Sequence, residues 1–258
     1  MTTAASRLRN CAEVALVMGA LEFGIWIMGP LVVRDHSFIL HYWLLVLLCG
    51  VYILWLSPLV INRDPAAVRG WGWRGEPNLG PGRWNLAWRS YAGVTATIGV
   101  ALIAAGWWRD PAILDRIVPG TFAVRLSGYL VWGTVQALIF FGFIHTRLRQ
   151  AIPVPAGKGG LHAHQVAVGV ATALVFSAAH LPNWPLMGFT LAAGLIWSCL
   201  FYWRPNVWLL GLCHALLGTL LHQFVRIPMR IGYFYHEPHG YIMRTVVPGL
   251  ADFIGHRF

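Results

Sequence analysis

Apolar residues run almost without interruption over seven stretches, at about 11–33, 39–61, 90–107, 122–145, 165–181, 186–203 and 207–226. An α-helix needs roughly 20 such residues to cross a bilayer, and most of these stretches are that long. The fifth and sixth are shorter and are separated by His180-Leu-Pro-Asn-Trp-Pro185, where Pro182 and Pro185 stop a helix. A weaker apolar stretch at 241–254 predicts an interfacial helix or an eighth span. Between the second and third stretches, Gly70-Trp-Gly-Trp-Arg-Gly-Glu-Pro-Asn-Leu-Gly-Pro-Gly82 reads as a loop at the level where tryptophan prefers to sit.

Composition agrees with this pattern. Of 258 residues, 57% are hydrophobic and 11% charged, and the mean hydropathy is +0.61. Soluble domains carry about 25% charged residues, so a soluble enzyme, a disordered chain and a disulfide scaffold are excluded. The predicted fold is all-α, a polytopic membrane bundle of seven or eight transmembrane helices. It divides into N-terminal helices with an Arg/Trp-rich loop over 1–127, a core over 128–225 and a tail over 226–258, all within one membrane domain. Cys11, Cys49, Cys199 and Cys213 form no CxxC pair and read as small core residues.

The net charge is +10 and nearly all of the cations are arginines. They lie between apolar runs, so they predict topology and headgroup contact, with membrane lipids as partners and no nucleic-acid partner. Arg63, Arg69, Arg74, Arg83 and Arg89 follow the second stretch, and Arg147, Arg149 and Lys158 follow the fourth. The positive-inside rule puts both loops and the N-terminus in the cytoplasm, and a bacterial cytoplasmic membrane is the expected location. The N-terminal run carries Glu13 and Glu22 and continues to Val33, so it reads as a first membrane helix rather than a cleaved leader. Trp107, Trp108, Trp203 and Trp208 fall near helix ends, as an aromatic belt requires.

Ionisable groups inside a membrane are costly and are leads to function. Glu22, Gln136, His145, His180, His214 and His222 are the candidates. His180 closes the fifth stretch and His214 lies inside the seventh, so the two reach one cavity if those helices pack together. His145 and Arg147 are expected at headgroup level beyond the fourth helix. His162-Ala-His164 has the spacing of a metal clip but no third ligand. Two well-placed histidines fall short of the three protein ligands of a catalytic zinc, so neither a metal nor another cofactor is expected.

From Phe176-Ser-Ala-Ala-His180 and the Leu-Pro-Asn183 that follows, through Gly194-Leu-Ile-Trp197, to His214-Ala-Leu-Leu-Gly218, the order of features resembles the CPBP family. That family groups CAAX proteases, bacteriocin-processing membrane proteins and Rce1-type prenyl-protein endopeptidases. The resemblance covers about 128–225, roughly two-fifths of the chain. Its second motif, Phe-x-x-x-His, is intact. Its third, His-x-x-x-Asn, has Gly218 in place of Asn. The first, a glutamate pair followed by arginine, keeps only its frame, with Gln136 and Ala137 for the glutamates and Phe141 for the arginine.

The resemblance implies an intramembrane endopeptidase acting on a membrane-associated protein or peptide, prenylated substrates among them. Gln136, His180 and His214 would be the catalytic positions. Phe176, Asn183, Gly218 and Glu22 would contact substrate. A glutamate can take a proton from water and the amide of Gln136 cannot, so a histidine or Glu22 would have to supply the base. The other reading is a catalytically silent member that serves as a membrane scaffold or binding protein.

Overall fold

The computed structural model describes residues 3–64 and 81–236, with side chains in the second block from Ala87 onward. Among them, seven helices are long and apolar enough to cross a membrane. They are α1 (Ala4–Arg34), α2 (His36–Ile61), α3 (Pro81–Arg109), α4 (Pro119–Ala151), α5 (Gly160–Ala178), α6 (Trp184–Trp203) and α7 (Val207–Val225). Most of the Gly70–Gly82 loop and all of the 241–254 stretch lie outside the described residues.

Local chemistry sets the ends. Thr3 accepts from the Ser6 amide to start α1. Asn183 and Asn206 accept from Leu186 and Leu209 to start α6 and α7. Side-chain oxygens there satisfy amides that the first helical turn leaves over. Gly159 precedes α5 with φ at +91°, a conformation that glycine adopts without strain. Four of the spans also widen locally to π geometry, and in α4 the wide stretch Ala137–His145 begins just after Gln136. Such widenings recur at functional sites.

Small residues allow the central helices to approach closely. A Cβ on Gly211 of α7 would stand 2.8 Å from Thr134 Cα of α4, and one on Gly133 would stand 3.2 Å from Gly211 O and His214 Cβ. A Cβ on Gly194 of α6 would lie 2.9 Å from Ala173 Cα of α5. Without a hydrophobic drive between helices in lipid, such close backbone contact is what holds them together. The antiparallel pairs α4/α7 and α5/α6 therefore form the centre of the bundle. The α2 helix lies at its margin and turns Leu40, Trp43, Leu44, Leu47, Leu48 and Trp55 outward.

Several sequence expectations change here. The fourth helix runs six residues past His145, so Arg147 is inside it and fully buried. His162 and His164, which precede the fifth apolar stretch, belong to the first turns of α5. Only Cys213 is buried, whereas Cys11 and Cys199 face outward. The belt expectation fits Trp107, Trp108, Trp203 and Trp208, which are all exposed at helix ends.

Candidate active site

Phe176, in the last turn of α5, is completely buried and has other rings around it. Phe140 and Phe141 of α4 pack against it at centroid distances of 4.9 and 5.7 Å, and Trp197 of α6 at 6.2 Å. His180 and His214 both stand edge-on to the same ring, at 5.0 and 5.9 Å. Each tilted or edge-on pair contributes about 0.5–1.5 kcal/mol beyond area burial. The ring of Phe176 thus stands against both histidines.

The geometry fixes one tautomer. His180 Nδ1 lies 2.7 Å from the Phe176 carbonyl oxygen. A carbonyl only accepts, so Nδ1 carries the hydrogen and Nε2 keeps a lone pair. Burial pushes the His180 imidazole down to about 4, which leaves it neutral and able to accept a proton at pH 7. His214 packs against Trp197 at 5.2 Å, and its Nδ1 is buried with no hydrogen-bond partner among the described residues. Trp197 Nε1 and Gln136 Oε1 share that condition. Gln136 sits one turn beyond Gly133, whose would-be Cβ meets His214. Buried polar atoms are nearly always bonded, and Asn10 Oδ1, His145 Nε2, Thr172 Oγ1 and Ser198 Oγ also lack a hydrogen-bond partner among the described residues.

The remaining predicted positions are distributed differently. Phe141, matched to the family's arginine, is fully buried against Phe176, Trp197 and Phe201. Gly218 lies under Tyr129, whose ring carbon would be 3.5 Å from an added Cβ. The Tyr129 hydroxyl shares a 3.1 Å hydrogen bond with His222 Nδ1. Asn183 is fully buried and uses its polar atoms within the chain. Its Nδ2 donates to the carbonyls of Pro228 and Arg230, and its Oδ1 accepts from Leu186 N. Gly232 N donates to Leu181 O at 2.6 Å, so residues 228–232 lie across the turn that carries His180. Glu22 is half-buried on α1 and accepts from Trp26 Nε1 at 2.9 Å.

Among the described residues, the carboxylate that the fold buries is Glu13. Its Oε2 lies 2.7 Å from Arg147 Nε, with side-chain exposures of 5% and 2%. Ser57 Oγ donates to Glu13 Oε2 at 2.9 Å and Asn62 Nδ2 to Oε1 at 2.8 Å, while Arg147 Nη2 donates to Ser57 Oγ at 2.7 Å. Arg147 Nη1 reaches Gln150, which in turn donates to Asp64. Arg147 is eleven residues from Gln136, about 16 Å along the axis of α4. It belongs to a second polar centre that ties α1, α2 and α4 together.

Two histidines expected elsewhere belong to neither centre. His145, expected at headgroup level, is buried with its ring against Phe201 and Tyr202 at 5.4 and 6.2 Å. His164 Nε2 donates to Ile152 O at 3.0 Å, which makes Nδ1 the acceptor for the Tyr202 hydroxyl at 2.7 Å. Both nitrogens of His164 are thereby occupied, and a metal clip with His162 has no free ligand on that ring. The sequence reading missed Trp197 and Tyr129 as neighbours of the histidines. A signal was available for Trp197, its spacing of three residues from Gly194; in the fold it is 3% exposed where Trp108 is 88% exposed.

The fold and this interior define an integral, multi-pass membrane protein with a buried histidine centre. Residues 118–220 match the family model described as Type II CAAX prenyl endopeptidase Rce1-like. That stretch, about two-fifths of the chain, is similar to the Rce1-like proteins of the CPBP family. The stretch takes in Gln136, Phe176, His180, Asn183, His214 and Gly218, and it leaves out Glu13 and Glu22. No curated protein and no solved structure matches the chain.

Proposed function

We propose that the chain is an intramembrane endopeptidase that cleaves a membrane-anchored peptide, prenylated substrates among them, at the Gln136–His180–His214 centre. The observation that carries this reading is that Gln136 Oε1, His214 Nδ1 and Trp197 Nε1, all inside the family-matched stretch, are buried with no hydrogen-bond partner among the described residues. In this reading His180 Nε2 takes the proton from an attacking water. Gln136 orients that water or the scissile carbonyl, and the Trp197 N–H faces the oxyanion. A neutral histidine base replaces the family's glutamate, and Phe141 in place of arginine leaves no unpaired charge in the core. Phe176 holds both imidazoles in place, and Gly218 with Tyr129 above it borders the substrate side. Asn183 positions the His180 turn. The arginines after α2, together with Arg7 and Arg9, support an N-terminus on the cytoplasmic side.

The test is cleavage of a farnesylated, quenched fluorescent peptide with a Cys-aliphatic-aliphatic-X end by purified protein in liposomes. Wild type is expected to release the fluorophore. His180→Ala and His214→Ala are expected to slow release by about 10²–10⁴-fold, the usual size of a lost acid–base group, at near-normal expression. Undiminished cleavage in both variants would overturn the assignment of the histidines. A wild type that binds the peptide and never cuts it would establish the silent-member reading instead.

A further inference from the structure

Ser127, Thr134, Thr190 and Thr219 each donate to the carbonyl four residues back on their own helix, the partner nearest to hand for a helical hydroxyl away from water. Thr172 of α5 and Ser198 of α6 do not. Both are at most 1% exposed, and neither hydroxyl oxygen has a hydrogen-bond partner among the described residues. His145 of α4 is as deeply buried, and its Nε2 is in the same condition.

Packing brings these three groups to one place. The His145 ring stands edge-on to Phe201 and Tyr202 at 5.4 and 6.2 Å, one turn along α6 from Ser198, and it also meets the Ser198 backbone. Across the α5/α6 seam, a Cβ added at Gly169 would approach Ser198 Cβ to 3.7 Å, and one added at Gly194 would approach Ala173. Thr172 lies between those two contacts, one turn after Gly169. Among the described residues, no other atom of a neighbouring helix stands within 4 Å of a Cβ at Gly169. The seam therefore keeps open space beside Ser198.

The chemistry of the three groups selects the occupant. Each hydroxyl both donates and accepts, and Nε2 of a neutral imidazole does one or the other according to its tautomer. Such a set suits a small uncharged molecule that can do both. A buried water typically makes about three hydrogen bonds to polar groups of this kind. We propose that the interior between α4, α5 and α6 binds water, held by His145 Nε2, Ser198 Oγ and Thr172 Oγ1. The site lies one turn along α5 from Phe176, and its test does not depend on peptidase activity.

The test is X-ray hydroxyl-radical footprinting of the full chain in nanodiscs. Radiolysis turns water into radicals where it sits, so a buried side chain is labelled only when water lies against it. In wild type, His145 is expected to be modified well above Phe140, a ring of similar reactivity that is similarly buried and packs against Phe176. Thr172→Val/Ser198→Ala removes both hydroxyls with little change in volume and is expected to abolish the His145 signal. A wild-type signal at His145 no higher than at Phe140 would overturn the proposal, whatever the variants do. A signal that persists undiminished in a folded double variant would overturn it as well. Where the double variant does not fold, Gly169→Ala takes its place: it puts a methyl into the open space and keeps every hydroxyl. Loss of the His145 signal there is the expected result, and an undiminished signal would overturn the water site.

Discussion

The two buried polar centres on α4 are finished in opposite ways. At Arg147 the guanidinium has the Glu13 carboxylate, and Ser57, Asn62 and Gln150 take up the remaining donors and acceptors. Around His180 and His214 the polar atoms sit among aromatic rings, and His214 Nδ1, Trp197 Nε1 and, on α4, Gln136 Oε1 have no hydrogen-bond partner among the described residues. A paired buried charge costs its desolvation and recovers it in contacts, so it fixes geometry. An unpaired buried donor or acceptor costs about 1–3 kcal/mol and is retained where its partner arrives from outside. The first centre is a clamp between α1, α2 and α4, and the second is the one proposed as a site.

That contrast can be broken most violently at the clamp. Arg147→Met leaves Glu13 buried without its counter-charge and is expected to lower stability by about 3–5 kcal/mol. Adding Glu13→Leu removes the orphaned charge and should restore most of the loss, as read by thermal unfolding in detergent. A single variant that melts like wild type would show that the pair is solvated and not a clamp.

Next in size is the contact that places Gln136 beside α7. Gly211→Ala puts a methyl 2.8 Å from the backbone of Thr134, and overpacking of this kind costs about 1–3 kcal/mol. Peptide cleavage should fall together with the melting temperature, because Gly133 and His214 share the seam. Cleavage unchanged by this substitution would separate the seam from the site.

The smallest effect is a pH dependence. His180 titrates near 4 in the folded chain and near 6.5 when unfolded, so the unfolded state gains its proton first as pH falls. Stability is complete above 6.5 and is lost toward 4, with about 1 kcal/mol gone between pH 6.5 and 5.5. The difference between wild type and His180→Ala should shrink by that amount on acidification. A difference that stays constant with pH would mean that His180 is solvated.

The seven spans were legible because membrane helices write themselves as long apolar runs, and Pro182 and Pro185 marked the turn between α5 and α6. His180 and His214 were legible from motif order. The Glu13–Arg147 pair was not, since its partners are 134 residues apart and a cation after an apolar run looks like a topology signal. The end of α4 was misplaced for the same reason: Thr146-Arg-Leu-Arg-Gln150 reads as a loop until Glu13, Gln150 and Asp64 are seen to receive its charge. Glu22 drew attention because it lies mid-span, yet its hydrogen bond comes from Trp26 one turn along the same helix. Hydropathy ranks carboxylates by depth, and only packing shows which one is enclosed. The tautomer of His180 and the orphaned Trp197 Nε1 depend on tertiary contacts and leave no trace in periodicity.

The most direct test of the clamp-and-site contrast is turnover per folded molecule, measured with melting temperature on the same liposomes for His214→Ala and Arg147→Met. The expected result is a crossover. His214→Ala should melt near wild type and lose cleavage, and Arg147→Met should melt far lower while each folded molecule cleaves at close to the wild-type rate. Full turnover in His214→Ala, or a dead but stably folded Arg147→Met, would contradict the division of labour between the two centres.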